Sequence, residues 1–311
     1  ASRNFANKVW NASRFIMMNL EKAEVPQEID LNALTGADKW ILSKVNKLAE
    51  EVTENMDKYE LGIAVQKVYD FIWEEFCDWY IEMVKPRLYN EEDTTKAAAL
   101  WTLKTVLGNA LKLLHPYMPF ITEEIYCTLL PEEESVMISN WPVYQEAWVF
   151  PEAEKAVESF KEAVRGIRNT RTEMNVPMNR KTSLHIVGKD AETCARYEAC
   201  KKSFVNLAFA KEILVQEGKE GIGEDAVSVV VSDAVVYMPL EDLVDREKEM
   251  ERLKKEQDRL TKEIARCQGM LSNPNFVNKA PEAKVNAEKE KLQKYEEMME
   301  KVNTQLKQME K

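Results

Sequence analysis

The sequence predicts a mainly α-helical protein: an antiparallel helical bundle, a small α/β connector domain and a long antiparallel coiled-coil hairpin. Three observations predict it. The 311 residues are 45% hydrophobic and 31% charged with only nine Gly, the balance of a soluble, helix-rich chain with room for two or three domains. Apolar residues recur every three or four positions through most of residues 1–130 and again through 241–311. Only between Ser183 and Met238 does the pattern change to strand-like alternation. The expected domains are therefore a bundle over 1–150, a connector over 151–240 and an arm over 241–311.

The first helix covers residues 1–21. Phe5, Val9, Ala12, Ile16 and Leu20 fall on one face, and Arg3, Asn7, Trp10, Asn11 and Arg14 nearly opposite. Val25-Pro26 ends it, because a residue before proline avoids the helical region. Thr35 followed by Asp38 marks the start of a second helix near 36–57. A third runs from 61 to 84 through Val65, Val68, Phe71, Ile72, Phe76, Trp79, Tyr80 and Met83, and is expected to stop before Pro86. A fourth covers 92–114. Pro116 and Pro119 break the chain before a short helix from Ile121 to Leu130.

Pro142 and Pro151 bracket an aromatic linker, and a helix follows over 152–173. Ser183–Val187 and Glu212–Val215 alternate as strands around a helical stretch, Asp190–Ala208. Ala226–Val231 and Ala234–Met238 form a hairpin turning at Ser232-Asp233.

The arm follows. Leu243, Met250, Leu253, Gln257, Leu260, Ile264, Cys267 and Leu271 keep a three-four spacing, with one gap at Arg246. After the loop Ser272–Pro281 the spacing resumes at Val285, Glu288, Leu292, Tyr295, Met299, Val302, Leu306 and Met309. Two runs of matched length make a hairpin of roughly 45 Å, too thin to enclose a catalytic pocket.

The net charge of −11 speaks against nucleic acid, but its distribution tempers that. Residues 1–150 hold 14 basic and 24 acidic groups; 151–240 hold 13 and 14; 241–311 hold 16 and 16. The acidity sits in the first half, and phosphate responds to the local field within about 8–10 Å. Five widely spaced Cys argue for a reducing compartment and against a disulfide framework. With two His and no Cys-x-x-Cys, a zinc site is not expected. No apolar run is long enough to span a membrane, and residues 1–20 lack a secretory pattern. The chain begins at Ala1, already in helical pattern, which reads as a piece of a longer polypeptide.

Four constellations bear on chemistry. The Arg3, Asn7, Asn11, Arg14 stripe suits an RNA loop, with arginine for phosphate and asparagine for base edges; Phe15 at its edge can stack on an unpaired base. The bland alternative is a solvated face with Phe15 in the core. Lys161, Arg165, Arg168 and Arg171, followed by Arg180 and Lys181, make residues 160–181 the most basic window, with six basic and two acidic groups. It suits a phosphate backbone, or surface ion pairs, or an interdomain lodging for Arg171. On the arm, Arg252, Lys255, Arg259, Lys262 and Arg266 recur among acids, the pattern of intrahelical pairing. Phe276 at the tip caps the hairpin or touches a partner. Elsewhere His115, His185-Ile186-Val187-Gly188, Gly218, Gly221 and Gly223, and the carboxylates Glu74, Glu75 and Asp78 read as structure or solvated surface.

Several stretches together resemble the C-terminal half of bacterial valyl-tRNA synthetases, a class I aminoacyl-tRNA synthetase family. They are Arg3–Lys8 with Trp10–Phe15, Cys77–Glu82, Leu114–Tyr126, Ile167-Arg168-Asn169 leading to Glu173–Pro177, and Asn273–Pro281. The last is the most specific. The resemblance implies the anticodon-binding bundle, the connector and the tRNA-elbow arm of an ATP-dependent valine-tRNA ligase. No His-Ile-Gly-His and no Lys-Met-Ser-Lys-Ser stretch is present, so no catalytic residue of the family carries over. This chain lacks the family's catalytic and editing domains; ATP and magnesium are then implied only for the missing catalytic domain, and no cofactor for the chain itself. The resemblance further implies a cytoplasmic monomer whose partners are a valine tRNA and those missing domains. It assigns anticodon contact to the first-helix stripe, with Arg14 and Phe15 foremost, tRNA-backbone contact to the arginine window, and elbow contact to Arg252, Arg259, Arg266 and Phe276. The competing reading is a coiled-coil adaptor without RNA affinity. An independent hydrolase would need a clustered acid and base that the sequence does not offer.

Overall fold

The computed structural model describes residues 2–243, 246–273 and 281–309. Residues divide into two compact units: Ala1–Thr170 with Ser183–Ile222 and Ser228–Tyr237, and Arg171–Thr182 with Gly223–Val227 and Met238–Lys311.

The first unit is built on a helical bundle. Helix α1 (Ser2–Leu20) buries Phe5, Val9 and Ile16, the face its periodicity marks. Helix α2 (Gly36–Asp57) starts at a capping box, in which Thr35 and Asp38 satisfy each other's end of the first turn. Asp38 does more. It is fully buried, receives two hydrogen bonds from the Arg87 guanidinium at 2.8 and 2.9 Å, and accepts another from the Tyr80 hydroxyl at 2.7 Å. A carboxylate without water needs such a set of donors. Burial, and then Asp38, push the Tyr80 phenol well above its ordinary value.

Helices α3 (Leu61–Asp70) and α4 (Ile81–Tyr89) are one rod joined by a π-helical stretch, Phe71–Tyr80. There the Ile81 N–H reaches back five residues to the Phe76 carbonyl. Phe71, Phe76 and Ile81, five apart, are all buried in consequence. The rod continues through Pro86, where the sequence predicts a stop. Proline removes one ladder bond in the last turn, but Met83, Val84 and Leu88 are buried on either side and hold the turn. Helix α5 (Lys96–Leu114) is the central helix, with twelve buried residues that include Leu100, Leu103, Leu107 and Leu111. Helix α6 (Pro119–Leu129) has its proline at the first position, where no hydrogen bond is lost.

Helix α7 (Pro151–Glu173) leads to a four-stranded sheet: β1 (Thr182–Gly188), β2 (Ala210–Gln216), β3 (Val227–Val230) and β4 (Ala234–Met238), in the order β2-β1-β4-β3. β1 pairs antiparallel with β4, His185 opposite Tyr237 and Val187 opposite Val235. Helix α8 (Ala191–Leu207) connects β1 to β2. The β3–β4 turn is held by Asp233, whose carboxylate accepts from Ser159 on α7 at 2.8 Å and from Tyr197 and Arg196 on α8 at 2.8 and 3.1 Å. Gly166 on α7 lies so close to Val229 that a Cβ there would overlap it.

In the second unit a short helix α9 (Leu240–Leu243) precedes the arm, α10 (Arg246–Leu271) and α11 (Glu282–Met309). The seam predicted from spacing is the seam observed: Leu253, Leu260, Val302 and Leu306 form its buried core, with Met250, Tyr295, Met298 and Met299 against it. Two polar pairs interrupt it. Gln257 donates to Asn303 at 2.7 Å, and the buried Cys267 thiol donates to Glu288 at 3.2 Å. One partner number rises as the other falls, which is the antiparallel register. Such pairs are satisfied at one register only, so they penalise slippage.

Two outcomes follow. Asp38→Ala strands the Arg87 guanidinium and is expected to cost about 3–5 kcal/mol in urea unfolding; a loss below 1 kcal/mol would show the network to be dispensable. Gln257→Ala leaves Asn303 unpaired in the seam and is expected to cost the arm about 1–2 kcal/mol, read as a lower melting temperature of its helical signal.

Candidate nucleic-acid interface

A groove of about 490 Å³ runs between α1 and the α3–α4 rod. α1 lines it with Asn4, Asn7, Lys8, Asn11, Ala12 and Phe15, and the rod with Cys77, Ile81, Glu82 and Lys85. Asn4, Asn7 and Asn11 are spaced three and four apart, so one helix face carries three amides in a row. All three are exposed. Beside them Arg3 and Arg14 are exposed and form no ion pair among the described residues. Trp10 stands 46% exposed on the same helix.

The groove wall is graded in polarity. Phe15 is half-buried, neither the core residue nor the free ring that the sequence leaves open, and the Lys85 ammonium lies 5.7 Å from its centroid. Lys85 pairs with Glu82. Lys8 pairs with Asp78 at 2.6 Å and sits 3.9 Å over the Trp73 ring. Burial pushes the Cys77 thiol up to about 12, with Lys8 offsetting part of that, so it presents a neutral apolar wall rather than a nucleophile. Exposed amides above an apolar floor, flanked by cations, match what an unstacked base and its phosphates require.

The basic window of α7 separates into two kinds of residue. Arg165 and Arg168 are exposed, with guanidinium carbons 5.4 and 5.8 Å from the centroid of Trp79, and Arg168 donates to the Leu207 carbonyl at 2.8 Å. Partial burial draws the Arg168 guanidinium below its ordinary value; Glu82 and Asp78 oppose this. Those carboxylates are the same two that pair with Lys85 and Lys8, so the α1 groove and the α7 arginines share one electrostatic neighbourhood.

Lys161 and Arg171 correct the sequence reading. Lys161 is 1% exposed. Its ammonium pairs with Glu75 at 2.7 Å and Glu158 at 3.2 Å, 5.1 Å from the Trp40 ring and 5.7 Å from Trp79. It cannot reach a phosphate, and Glu75 is correspondingly not a solvated carboxylate. Arg171 is also buried. Its guanidinium donates to the carbonyls of Pro177 at 3.2 Å and Arg180 at 2.6 Å, holding the loop before β1, and burial lowers its pKa. Arg180 in turn donates to the Glu241 and Asp242 carbonyls. Both arginines clamp backbone. A one-dimensional row of cations gives no sign of which members turn inward, because that depends on the acids and rings of other helices.

On the arm, Arg259 pairs with Glu256 at 2.6 Å, and Arg266 with Glu263 at 3.0 Å and Glu288 at 3.7 Å. The Glu256 and Glu263 pairs are the intrahelical ones that the spacing implies, whereas the Glu288 contact crosses from α10 to α11. The two intrahelical pairs are partly solvent-facing and weak, and so exchangeable for phosphate; Glu288 is buried in the seam. The Arg252 side chain and Phe276 lie outside the described residues.

Sequence reasoning missed Asn4, Lys8 and Lys85 as groove residues. Asn4 and Lys8 were findable, since Asn4, Lys8, Asn11 and Phe15 keep a four-three-four spacing on α1. Lys85 was not, because the π-helical stretch Phe71–Tyr80 shifts the rod's faces out of ordinary helical phase.

Two stretches of the chain match known protein families. Residues 38–186 match the model of the anticodon-binding domain of tRNA ligases, and residues 245–310 that of the valyl tRNA synthetase tRNA binding arm. The chain is 50% identical to a valine–tRNA ligase of Clostridium perfringens over 309 residues, 97% of this chain and 34% of the relative. It is 42% identical to those of Carboxydothermus hydrogenoformans, over 94% of the chain and 33% of the relative, and Bacillus cereus, over 99% and 35%. The chain thus spans about a third of the length of the curated relatives it matches.

The buried cation gives a pH prediction. Burial would raise the Glu158 carboxyl, but Lys161 and Lys44 outweigh it and hold it below its ordinary value of 4.5. Its contribution is therefore complete above pH 4.5 and lost as pH falls through the depressed folded value. Glu158→Gln is expected to cost about 1 kcal/mol at pH 7 and to converge with the unmodified chain in strong acid, read from urea midpoints at both pH values. A gap that persists or widens in acid would reverse the assignment.

Proposed function

This chain belongs to the valine–tRNA ligase family, and we propose that it is the tRNA-recognition portion of such an enzyme, binding a valine tRNA by its anticodon and its elbow. The observation that carries this is the α1 groove: three solvent-facing amides over Phe15 and Ile81, bracketed by Arg3 and Arg14. In this reading Asn7 and Asn11 address base edges, Phe15 stacks on an unpaired base, and Arg3, Arg14, Arg165 and Arg168 hold the phosphates around it. The arm meets the outer corner of the tRNA through Arg259 and Arg266, exchanging the Glu256 and Glu263 carboxylates for phosphate.

A net charge of −11 does not oppose this, since the excess acid is spread over the bundle while the arm is balanced. The joining of valine to tRNA, with its ATP and magnesium, is assigned to the two thirds of the relatives' length that this chain does not span. The chain alone is inactive, acts as a monomer, and works in the cytoplasm, where its five free thiols stay reduced. Its contribution to the reaction is orientation: binding energy gathered far from the acceptor end places that end for chemistry.

A gel-shift titration with a valine tRNA transcript tests it. Binding is expected at low salt and is expected to fall steeply as salt rises. Phe15→Ala should weaken binding by about 1–3 kcal/mol with the helical signal unchanged. Arg14→Gln should weaken it while reducing the slope of log K against log salt by about one. No binding at low salt removes the proposal, and unfolding by Phe15→Ala would return that ring to the core.

A further inference from the structure

One end of the helical bundle carries an apolar surface of a kind that the RNA reading does not use. Tyr59 is 89% exposed and Phe120 90%, and Leu61, Ile63, Met137 and Ile138 are exposed with them. Three separate segments converge there. The Tyr117 hydroxyl donates to the Leu61 carbonyl at 3.2 Å, joining the segment before α6 to the start of α3. His115 reaches Thr122 through Nδ1 at 2.7 Å and the Met137 sulfur through Nε2 at 3.0 Å. Glu123 accepts from the Val136 N–H at 3.1 Å, fixing the third segment on α6. The surface is therefore held by hydrogen bonds in a set shape.

Tyr59 adds a cost that this surface bears. It closes α2 with φ of 60°, its N–H bonded to the Met56 carbonyl and the Glu60 N–H to that of Asn55. That is a six-to-one, five-to-two helix terminus whose left-handed position favours glycine. A bulky, solvent-exposed ring there is strained and, in the chain by itself, buries little in return. Large exposed apolar side chains gathered on three tethered segments mark a protein contact.

Charge selects among occupants. Residues 54–63, 115–124 and 134–138 contain six carboxylates against one lysine, Lys58, itself 3.7 Å from Glu54. That field repels phosphate, which excludes the end as a second tRNA surface. An apolar protein surface fits instead, and the relatives carry about twice as much polypeptide again beyond the span matched here. We propose that this end of the bundle is the seat for that remaining polypeptide of a valine–tRNA ligase, with Tyr59 and Phe120 as its anchors. The contact would transmit the position of bound tRNA to the reacting end. It stands independently of which groove binds RNA.

Cysteine labelling decides it without disturbing the core, since both anchors are solvent-facing. F120C and Y59C are made in this chain and at the aligned positions of the full-length Clostridium perfringens relative. Maleimide labelling rates are then divided by those of the same proteins in urea, after subtraction of the native cysteines. Labelling in this chain is expected near the unfolded rate, and at least tenfold slower in the full-length relative. Equal rates in the two proteins overturn the proposal. So does slowing in this chain on adding tRNA alone, which makes RNA the occupant, or slowing that grows with chain concentration, which makes it a second copy.

Discussion

A single buried ammonium group, that of Lys161, is the interaction on which the first unit depends. It lies under Trp40 of α2 and Trp79 of the rod, and its charge is met by Glu75 and Glu158. Three helices are thereby keyed to one point. A cation out of water tolerates no loosening, because each displaced partner leaves charge uncompensated in low dielectric. The consequence is directional. With Lys161 turned inward, the next two turns of α7 must place Arg165 and Arg168 across Trp79 and toward solvent. A structural residue thus aims the two arginines proposed to meet phosphate.

The same economy recurs at Asp38 and Asp233. Each is a buried carboxylate that gathers donors from separate elements, Arg87 and Tyr80 for one, Ser159, Tyr197 and Arg196 for the other. The bundle and the sheet are fastened by polar hubs within apolar cores. Each hub is satisfied in one arrangement only, so it contributes specificity of packing more than net stability. In the arm the Cys267–Glu288 and Gln257–Asn303 pairs do this for register. The Cys267 thiol, with Lys291 and Arg266, keeps the Glu288 carboxyl below its ordinary range against the effect of burial.

The candidate interface needs that rigidity. Asn7 and Asn11 are useful to a base only if α1 is held at constant distance from Ile81 and Cys77, and α1 is held by Phe5 against Tyr69 at 4.6 Å and by Lys8 against Trp73 and Asp78. With the rim lysines partly neutralised, Arg3 and Arg14 stand beside the groove without an ion pair among the described residues. Selective cancellation of charge lets an acidic bundle present a local site for an anion.

Much of this was legible in one dimension. Helix α1, its polar stripe, the caps of α2, the β3–β4 hairpin and the whole seam of the arm follow from periodicity and turn chemistry, which are local and leave their period in the sequence. Glycine-poor, proline-punctuated spacing determined the elements, and the motifs from Arg3 to Pro281 determined the family. Only tertiary structure decided which cations of α7 are buried and which are offered, that the rod runs on through Pro86, and that Cys77 and Asp78 of a π-helical stretch and Lys85 beyond it face α1. Those outcomes depend on long-range partners: a lysine's fate rests on carboxylates and rings from other helices, and no spacing along its own helix records where they will be.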